Sequence, residues 1–464
     1  MSDLPAYFKS FDLEQMLTDH PIGAEFVPTF AHMSRDELRH RQNILFMRCV
    51  ERAWEIPFYQ RLWGDKGLEP GDIKSLENIT TIPIFSKSDL MASLDINPPF
   101  GDFGGLDLSD PDHAPAVMHT TSGTTGNPQV ILFSAKTREI QNLLVARAYL
   151  FQGMRGSDRV HSVYGHGMVN AGHYMREAVI HFTNALFMSA GTGVETRSVQ
   201  QIELMNRFKP TVIVGFIDYV KKLAYVAQDA GLEPGTDIPV RFISGHFGRE
   251  DRDEISRLWG GAECFDWYGV GDTGIISSEG PDHNGMYVWE DAHYVEILDV
   301  EDGREVQDGE HGNIVTTVLF KDDLYPMIRF NTHDVSAYHT TSNETGLIFR
   351  RLQGIFGRSD NMVKLRGINV FPHGIAGVLL ERSEFKGEYF CRAVRDDTGR
   401  DDMIVMVEVE DGGEELRRDF QALLKTRIGV EMKVTLHVPG SLADLTEIEK
   451  RQKPKRLMDE RFQT

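Results

Sequence analysis

Cysteine is scarce. The 464 residues contain three, Cys49, Cys264 and Cys391, and none lies within four residues of another. That spacing argues against a disulfide framework or a Cys-rich zinc site and fits a reducing, cytoplasmic setting. Long apolar runs are missing: no stretch of about 18 apolar residues occurs, which argues against a membrane-spanning helix. The first residues, MSDLPAYFKSFDLEQ, have no apolar core behind a basic start, so a secretory signal is not expected. Basic charge is in deficit. Against 70 Asp and Glu stand 49 Lys and Arg, a net charge of −21, and a field of that sign repels nucleic acid. It repels small anions too, so an anionic ligand must be held by backbone N–H groups, a bound metal or a few placed cations. The remaining composition, 41% hydrophobic and 26% charged, is that of an ordinary globular protein. The length suits about two to four domains.

Residues 119–129 read HTTSGTTGNPQ, with five hydroxyl-bearing residues and two glycines. Such a stretch serves either as a turn between strands or as a cradle for phosphate. Gly123 and Gly126 let the backbone approach an anion closely, and Ser122, Thr124 and Thr125 add hydroxyl donors. A Walker A loop is excluded. That motif places four residues between its glycines and then Lys-Ser/Thr, whereas two residues separate these and Asn follows.

Periodicity organises the rest. Ser34 and Glu37 have capping-box spacing and open a helix over 34–55. Residues 94–116 are polar and rich in Gly, Asp and Pro, and read as loop. From 138 the pattern alternates: helix 138–152, strand 159–165, helix 199–208, strand 211–216, helix 218–231, strand 240–245, helix 249–261, strand 263–269. This order predicts an α/β unit with a parallel sheet. From about 286 strand-like pieces separated by Gly/Asp turns predict an antiparallel, barrel-like β subdomain. After 357 the texture is that of a small α+β unit, with a strand at 404–411, a helix at 413–427 and a strand at 432–438.

Five segments in order resemble one family: TTSGTTGNP (120–128), YGHGMVNAG (164–172), DWYGVGD (266–272), YPMIRFNTHD (325–334) and GRSDNMVKLRGINVFP (357–372), with QKPKR (452–456) near the end. Together they resemble the adenylate-forming superfamily, and IPIFSKSDL and RGINVFP are similar to its phenylacetate–CoA ligase-like branch. The resemblance implies a large N-terminal domain (1–359) of α/β subdomains plus the β subdomain, and a small mobile C-terminal domain (360–464) with its hinge at Asp360. It implies a two-step reaction using ATP, Mg²⁺ and coenzyme A. A carboxylate first attacks the α-phosphate, expelling pyrophosphate and leaving an acyl-adenylate. A thiol or an amine then takes the acyl group.

The resemblance also assigns roles. Thr121, Ser122, Gly123, Thr124, Thr125 and Gly126 hold phosphates, and Tyr268 and Gly269 lie by the adenine. Asp334 accepts the ribose hydroxyls and Arg358 reaches the ribose–phosphate region. Asp272, where the family usually has Glu, is the Mg²⁺ ligand. Lys453 is the catalytic lysine of the first step, with Lys455 as the alternative, since Gln452 stands where the family usually has Gly. The acyl pocket falls to Tyr164, His166, Phe216, Gly245, His246 and Trp267, whose aromatic rings suit an aryl or cyclic acid. Gly367 borders the coenzyme A or acceptor channel. Cys264 and His283 are too few for the metal cluster some members carry, so no structural zinc is expected. Three readings stay open: an acid–CoA ligase, a coronafacate-ligase-like enzyme joining the acid to an amino acid or amine, and a non-catalytic ATP-binding relative. The expected partner is a small carboxylic acid, with no nucleic acid or membrane; a homodimer is allowed.

Overall fold

The computed structural model describes residues 4–121, 128–247, 250–366, 368–395, 400–448 and 454–461. The chain divides into a large unit (Met1–Gly248, Arg252–Thr332 and Ser336–Gly354) and a small one (Arg249–Asp251, His333–Val335 and Ile355–Thr464).

The helix predicted at 34–55 runs over Arg35–Trp54. The Ser34 hydroxyl accepts from the Glu37 N–H at 3.2 Å, and the Glu37 carboxylate accepts from the Ser34 N–H at 2.8 Å. These reciprocal bonds satisfy donors that the first turn leaves open.

An eight-stranded sheet carries the large unit, in the order Arg351–Leu352, Met286–Val288, Gly274–Glu279, Glu263–Val270, Phe242–His246, Val212–Phe216, Arg159–Ser162, Leu186–Ser189. The last five strands of that order are parallel, as the alternation predicts. Side-chain alternation sorts their residues to two faces. Val160, Val212, Val214, Phe242 and Phe265 join one core with helices Ala135–Phe151 and Ala171–Phe182. Val163, Ile213, Ile243 and Cys264 join another, covered by helices Ser198–Phe208, Ile217–Asp229 and Arg252–Leu258.

Three features differ from the sequence reading. Helix Ala171–Phe182 and edge strand Leu186–Ser189 fill a gap in the predicted alternation. The sheet continues antiparallel beyond Glu263–Val270, because short turns fold the chain straight back on itself. Met286–Val288 and Arg351–Leu352, read as part of the β subdomain, therefore belong to this sheet. The second sheet of the unit holds Phe85–Ser86, Met327–Ser336, Gly312–Val318 and His293–Leu298.

Helix Ala135–Phe151 is buried nearly all round and takes charge into the core. Arg147, fully buried, donates to both oxygens of Asp291 at 2.8 and 2.7 Å and lies over the Phe26 and Trp289 rings. The His20 ring nitrogen Nδ1 stands 2.9 Å from the same carboxylate.

The small unit has a four-stranded sheet ordered Lys433–His437, Asp401–Val409, Phe385–Arg395, Leu457–Asp459, packed by helices Ile375–Leu379 and Glu414–Ile428 around its own core. The three cysteines are all buried free thiols, one in each core.

Candidate active site

Strand Arg159–Ser162 has Leu186–Ser189 on one side and Val212–Phe216 on the other. The chain builds outward to the first, then crosses back to the second. Such a reversal leaves a crevice outside the carboxyl ends of the strands, where α/β sheets hold their ligands. Tyr164, Phe216, His246 and Trp267 stand there. Phe216 pairs with His246 in register. Trp267 lies two residues beyond Phe265, the partner of Ser244, and so shares the face of His246. The Tyr164 ring meets Phe216 edge-on at 4.9 Å and Trp267 at 6.4 Å. Tyr164 and Trp267 are buried, whereas Phe216 is exposed. The His246 ring nitrogen Nδ1 is 3.5 Å from the Asp266 carboxylate, which also accepts from the Phe247 and Trp267 N–H groups. Gly245 has no room for a side chain: a Cβ there would sit 2.2 Å from the Gly215 carbonyl oxygen. The structure thus gathers five of the six predicted acyl-pocket residues on adjacent strand ends. His166 follows in the loop after Tyr164, its ring 5.7 Å from that of His173.

Asp272 occupies the turn after Glu263–Val270 and is 5% exposed. Its Oδ1 accepts from the Tyr325 hydroxyl at 2.5 Å and from the Gln129 carboxamide. Lys321, fully buried, donates to the Asp272 backbone oxygen at 2.7 Å and lies over the Phe133 and Tyr325 rings. Burial pushes the Asp272 carboxyl above the usual carboxylate range, against the opposing pull of Tyr325, Lys321 and Gln129. Burial also brings the Lys321 ammonium down to about 7, opposed by Asp272 and Asp323. Both groups move toward neutrality, so desolvation outweighs their attraction. Gln129 also closes the stem of the hydroxyl-rich loop, its carbonyl accepting from the Thr121 N–H at 3.2 Å. The Lys87 ammonium reaches the Thr121 hydroxyl at 3.3 Å. One carboxamide therefore ties that loop's stem to the predicted metal ligand.

Next to this turn Tyr268 is buried, and a ladder irregularity falls between it and Gly269. A Cβ on Gly269 would sit 2.3 Å from the Gly274 oxygen, so the close return of the chain requires glycine. Within the small unit, Asp334 pairs in register with Arg358. The Arg358 guanidinium donates to Asp334 at 3.2 Å and to both Asp360 oxygens at 3.0 and 2.6 Å. This bond set gathers the predicted ribose acceptor, phosphate-side cation and hinge.

Ser122, Gly123, Thr124, Thr125, Gly126, Gly367 and Lys453 lie outside the described residues. Lys455 does not: its N–H donates to the Thr446 oxygen at 2.8 Å, and the next residue, Arg456, accepts from the Cys391 N–H. Sequence reasoning missed Gln129 and Lys321. Gln129 carries no signal beyond closing the loop motif, and Lys321 reads as an ordinary surface cation beside two aspartates. Among the described residues no group of three or more His, Cys, Asp and Glu could hold a metal ion. None of their helices is long and apolar enough to cross a membrane.

The family model for AMP-binding enzymes matches residues 22–317, and that for the AMP-binding enzyme C-terminal domain matches residues 367–461. The phenylacetate-coenzyme A ligase of Aromatoleum evansii is 30% identical over 449 residues, covering 92% of this chain and 96% of the relative. A 2-hydroxyisobutyryl-CoA ligase solved in the postadenylation state with an acyl-AMP superposes with TM-score 0.75 at 28% identity, over 91% of this chain and 89% of that one. An open conformation of that ligase, with 2-HIB-AMP and CoA, gives TM-score 0.69 at 28% identity over 91% of each chain.

Proposed function

The chain belongs to the AMP-binding enzyme family, in its phenylacetate–CoA ligase-like branch, and from that premise we propose that it activates an aryl or cyclic carboxylic acid with ATP and passes the acyl group to coenzyme A. In the first step a carboxylate oxygen of the acid bonds to the α-phosphorus and the bond to pyrophosphate breaks. In the second the sulfur of coenzyme A bonds to the acyl carbon, its proton goes to solvent, and AMP leaves. The observation that carries the reading is the aromatic crevice at the sheet's reversal point, on the sheet whose next turn holds Asp272 against the loop stem.

The residues take complementary parts. Tyr164, Phe216 and Trp267 wall the acid beside His246 and His166, and Gly245 lets the strands approach closely under them. Residues 121–126 cradle phosphate. Asp334 accepts the ribose hydroxyls, a task suited to a carboxylate with two oxygens. Asp272 meets a magnesium ion that arrives with the nucleotide. Its fit rests on donor chemistry: Mg²⁺ on phosphates asks one or two carboxylates of a protein, and Asp272 is a lone buried one beside the loop stem. The ion would supply charge neutralisation for departing pyrophosphate. Asp360 opens the small domain and serves as its hinge, and Gly367 borders the path of coenzyme A. Lys453 brings a cation to the α-phosphate and the attacking carboxylate.

Purified protein, Mg·ATP and a panel of acids, with coenzyme A in one arm and mixed amino acids in the other, tests the reading by mass. Acyl-CoA is the expected product. An amide formed with coenzyme A ignored would replace this reading with an amide ligase, and no AMP with any acid would leave a non-catalytic relative. Lys453→Ala is expected to cut adenylate formation by about 100-fold while sparing transfer from a supplied acyl-adenylate. Equal loss of both steps would remove Lys453 from its role.

A further inference from the structure

The wall of the crevice is not uniformly apolar. The Tyr164 hydroxyl and the Trp267 indole N–H are buried neighbours that face each other, and neither meets any other hydrogen-bond partner among the described residues. One row deeper, the Ser162 and Ser244 hydroxyls are fully buried and unpartnered among them. Register places all four on one face. Ser162 and Ser244 each pair with Val214, and Tyr164 and Trp267 stand one alternation further along their strands. Buried polar atoms are nearly always satisfied, and an unsatisfied donor is costly. A plain phenyl ring offers these groups nothing. An oxygen placed against the pair accepts the proton of the tyrosine hydroxyl, and by displacing their mutual contact it accepts from the indole as well.

We propose, resting on the acid–CoA ligase reading, that the acid bears a hydroxyl or carbonyl oxygen at the end remote from its carboxylate, and that Tyr164 and Trp267 donate to it. The pocket then selects by requirement. A site built to hydrogen-bond an oxygen discriminates against the analogue lacking it, because its own donors are left unmet. The aromatic edges still take the carbon frame, so the class is an oxygenated aryl or alicyclic acid.

Matched acid pairs test this: phenylacetate with 4-hydroxyphenylacetate, benzoate with 4-hydroxybenzoate, and cyclohexanecarboxylate with 4-oxocyclohexanecarboxylate. The readout is the ratio of kcat/KM for acyl-CoA formation within each pair. The wild-type protein is expected to favour the oxygenated member of its best pair by roughly tenfold or more. Tyr164→Phe and Trp267→Phe are each expected to shrink that ratio severalfold, whatever they do to the absolute rate. A wild-type ratio near one, with acyl-CoA formed from both members, would overturn the proposal and leave the ligase reading standing, even if neither variant folds. A large wild-type ratio that neither variant changes would overturn the assignment of the donors. No AMP from any acid would overturn the ligase reading and the proposal with it.

Discussion

Two buried aspartates in the large unit answer the same problem differently. Asp291 faces a guanidinium held on both its oxygens and an imidazole besides. Burial pushes its pKa up, but Arg147 and His20 prevail and hold it well below the usual carboxylate range. Asp272 faces the neutral donors of Tyr325 and Gln129; of the two lysines that act on it, Lys321 bonds to its backbone oxygen rather than its carboxylate, and Lys87 acts through its charge. Burial prevails there and the pKa rises. A charge that only supports the fold is neutralised by the fold. Asp272 is left short of positive charge, which suits the magnesium-ligand role proposed for it.

The largest expected effect breaks the Asp291 side. Arg147→Ala leaves a buried carboxylate without its main partner, and denaturant unfolding should show a loss of about 3–5 kcal/mol. On the other side the effect moves from stability to activity. Asp272→Ala should lower adenylate formation by about 100-fold, read as acid-dependent AMP release, with an unfolding midpoint equal to the wild type or higher.

A pH series sharpens the contrast. Asp272 has its folded pKa raised, so its favourable contribution is complete below the unfolded carboxylate value of about 3.9 and is lost as pH rises through the folded value. Asp272→Asn, unfolded in EDTA, should therefore gain on the wild type with rising pH. Asp291 has the opposite sign: its contribution is complete above the ordinary carboxylate range and is lost as pH falls through its depressed value. A constant gap between Asp272→Asn and wild type from pH 4 to 8 would place Asp272 outside the buried, under-compensated class. The smallest effect is that of Lys321→Met. Removing a cation that favours ionised Asp272 should move the acid limb of the adenylation pH–rate profile to higher pH. An unmoved limb would mean that Lys321 only braces the turn.

Strands Val212–Phe216 and Phe242–His246 are legible because each is a short apolar run followed by an amphipathic helix. Strand Leu186–Ser189 is not: four residues at a sheet edge, two of them exposed, leave little periodicity to read. Helix Ala135–Phe151 is instructive in another way. Its Arg138, Glu139, Gln141, Asn142 and Arg147 look like a solvent face, yet all are buried, because their partners come from distant segments. Among them are Asn170 for Arg138, His181 for Glu139 and Asp291 for Arg147. The same holds at the site. Asp272 and the loop 119–129 stand out as motifs, but the Gln129 bond that joins them spans 143 residues. A lone lysine beside two aspartates gives no sign that it will be buried against two aromatic rings.

The row from Tyr164 to Trp267 lies where the ladder of a parallel sheet is finishing. Below it Gly215 and Gly245 admit no side chain, since a Cβ on either would meet neighbouring atoms within 2.2 Å. Those positions are closed to change. At the rim, Phe216 and His246 are partly open to solvent. Under the acyl-pocket role proposed for them, a single substitution there alters what the crevice accepts and leaves the glycine-lined strands beneath intact. The fold thus separates positions open to variation from those that its architecture fixes.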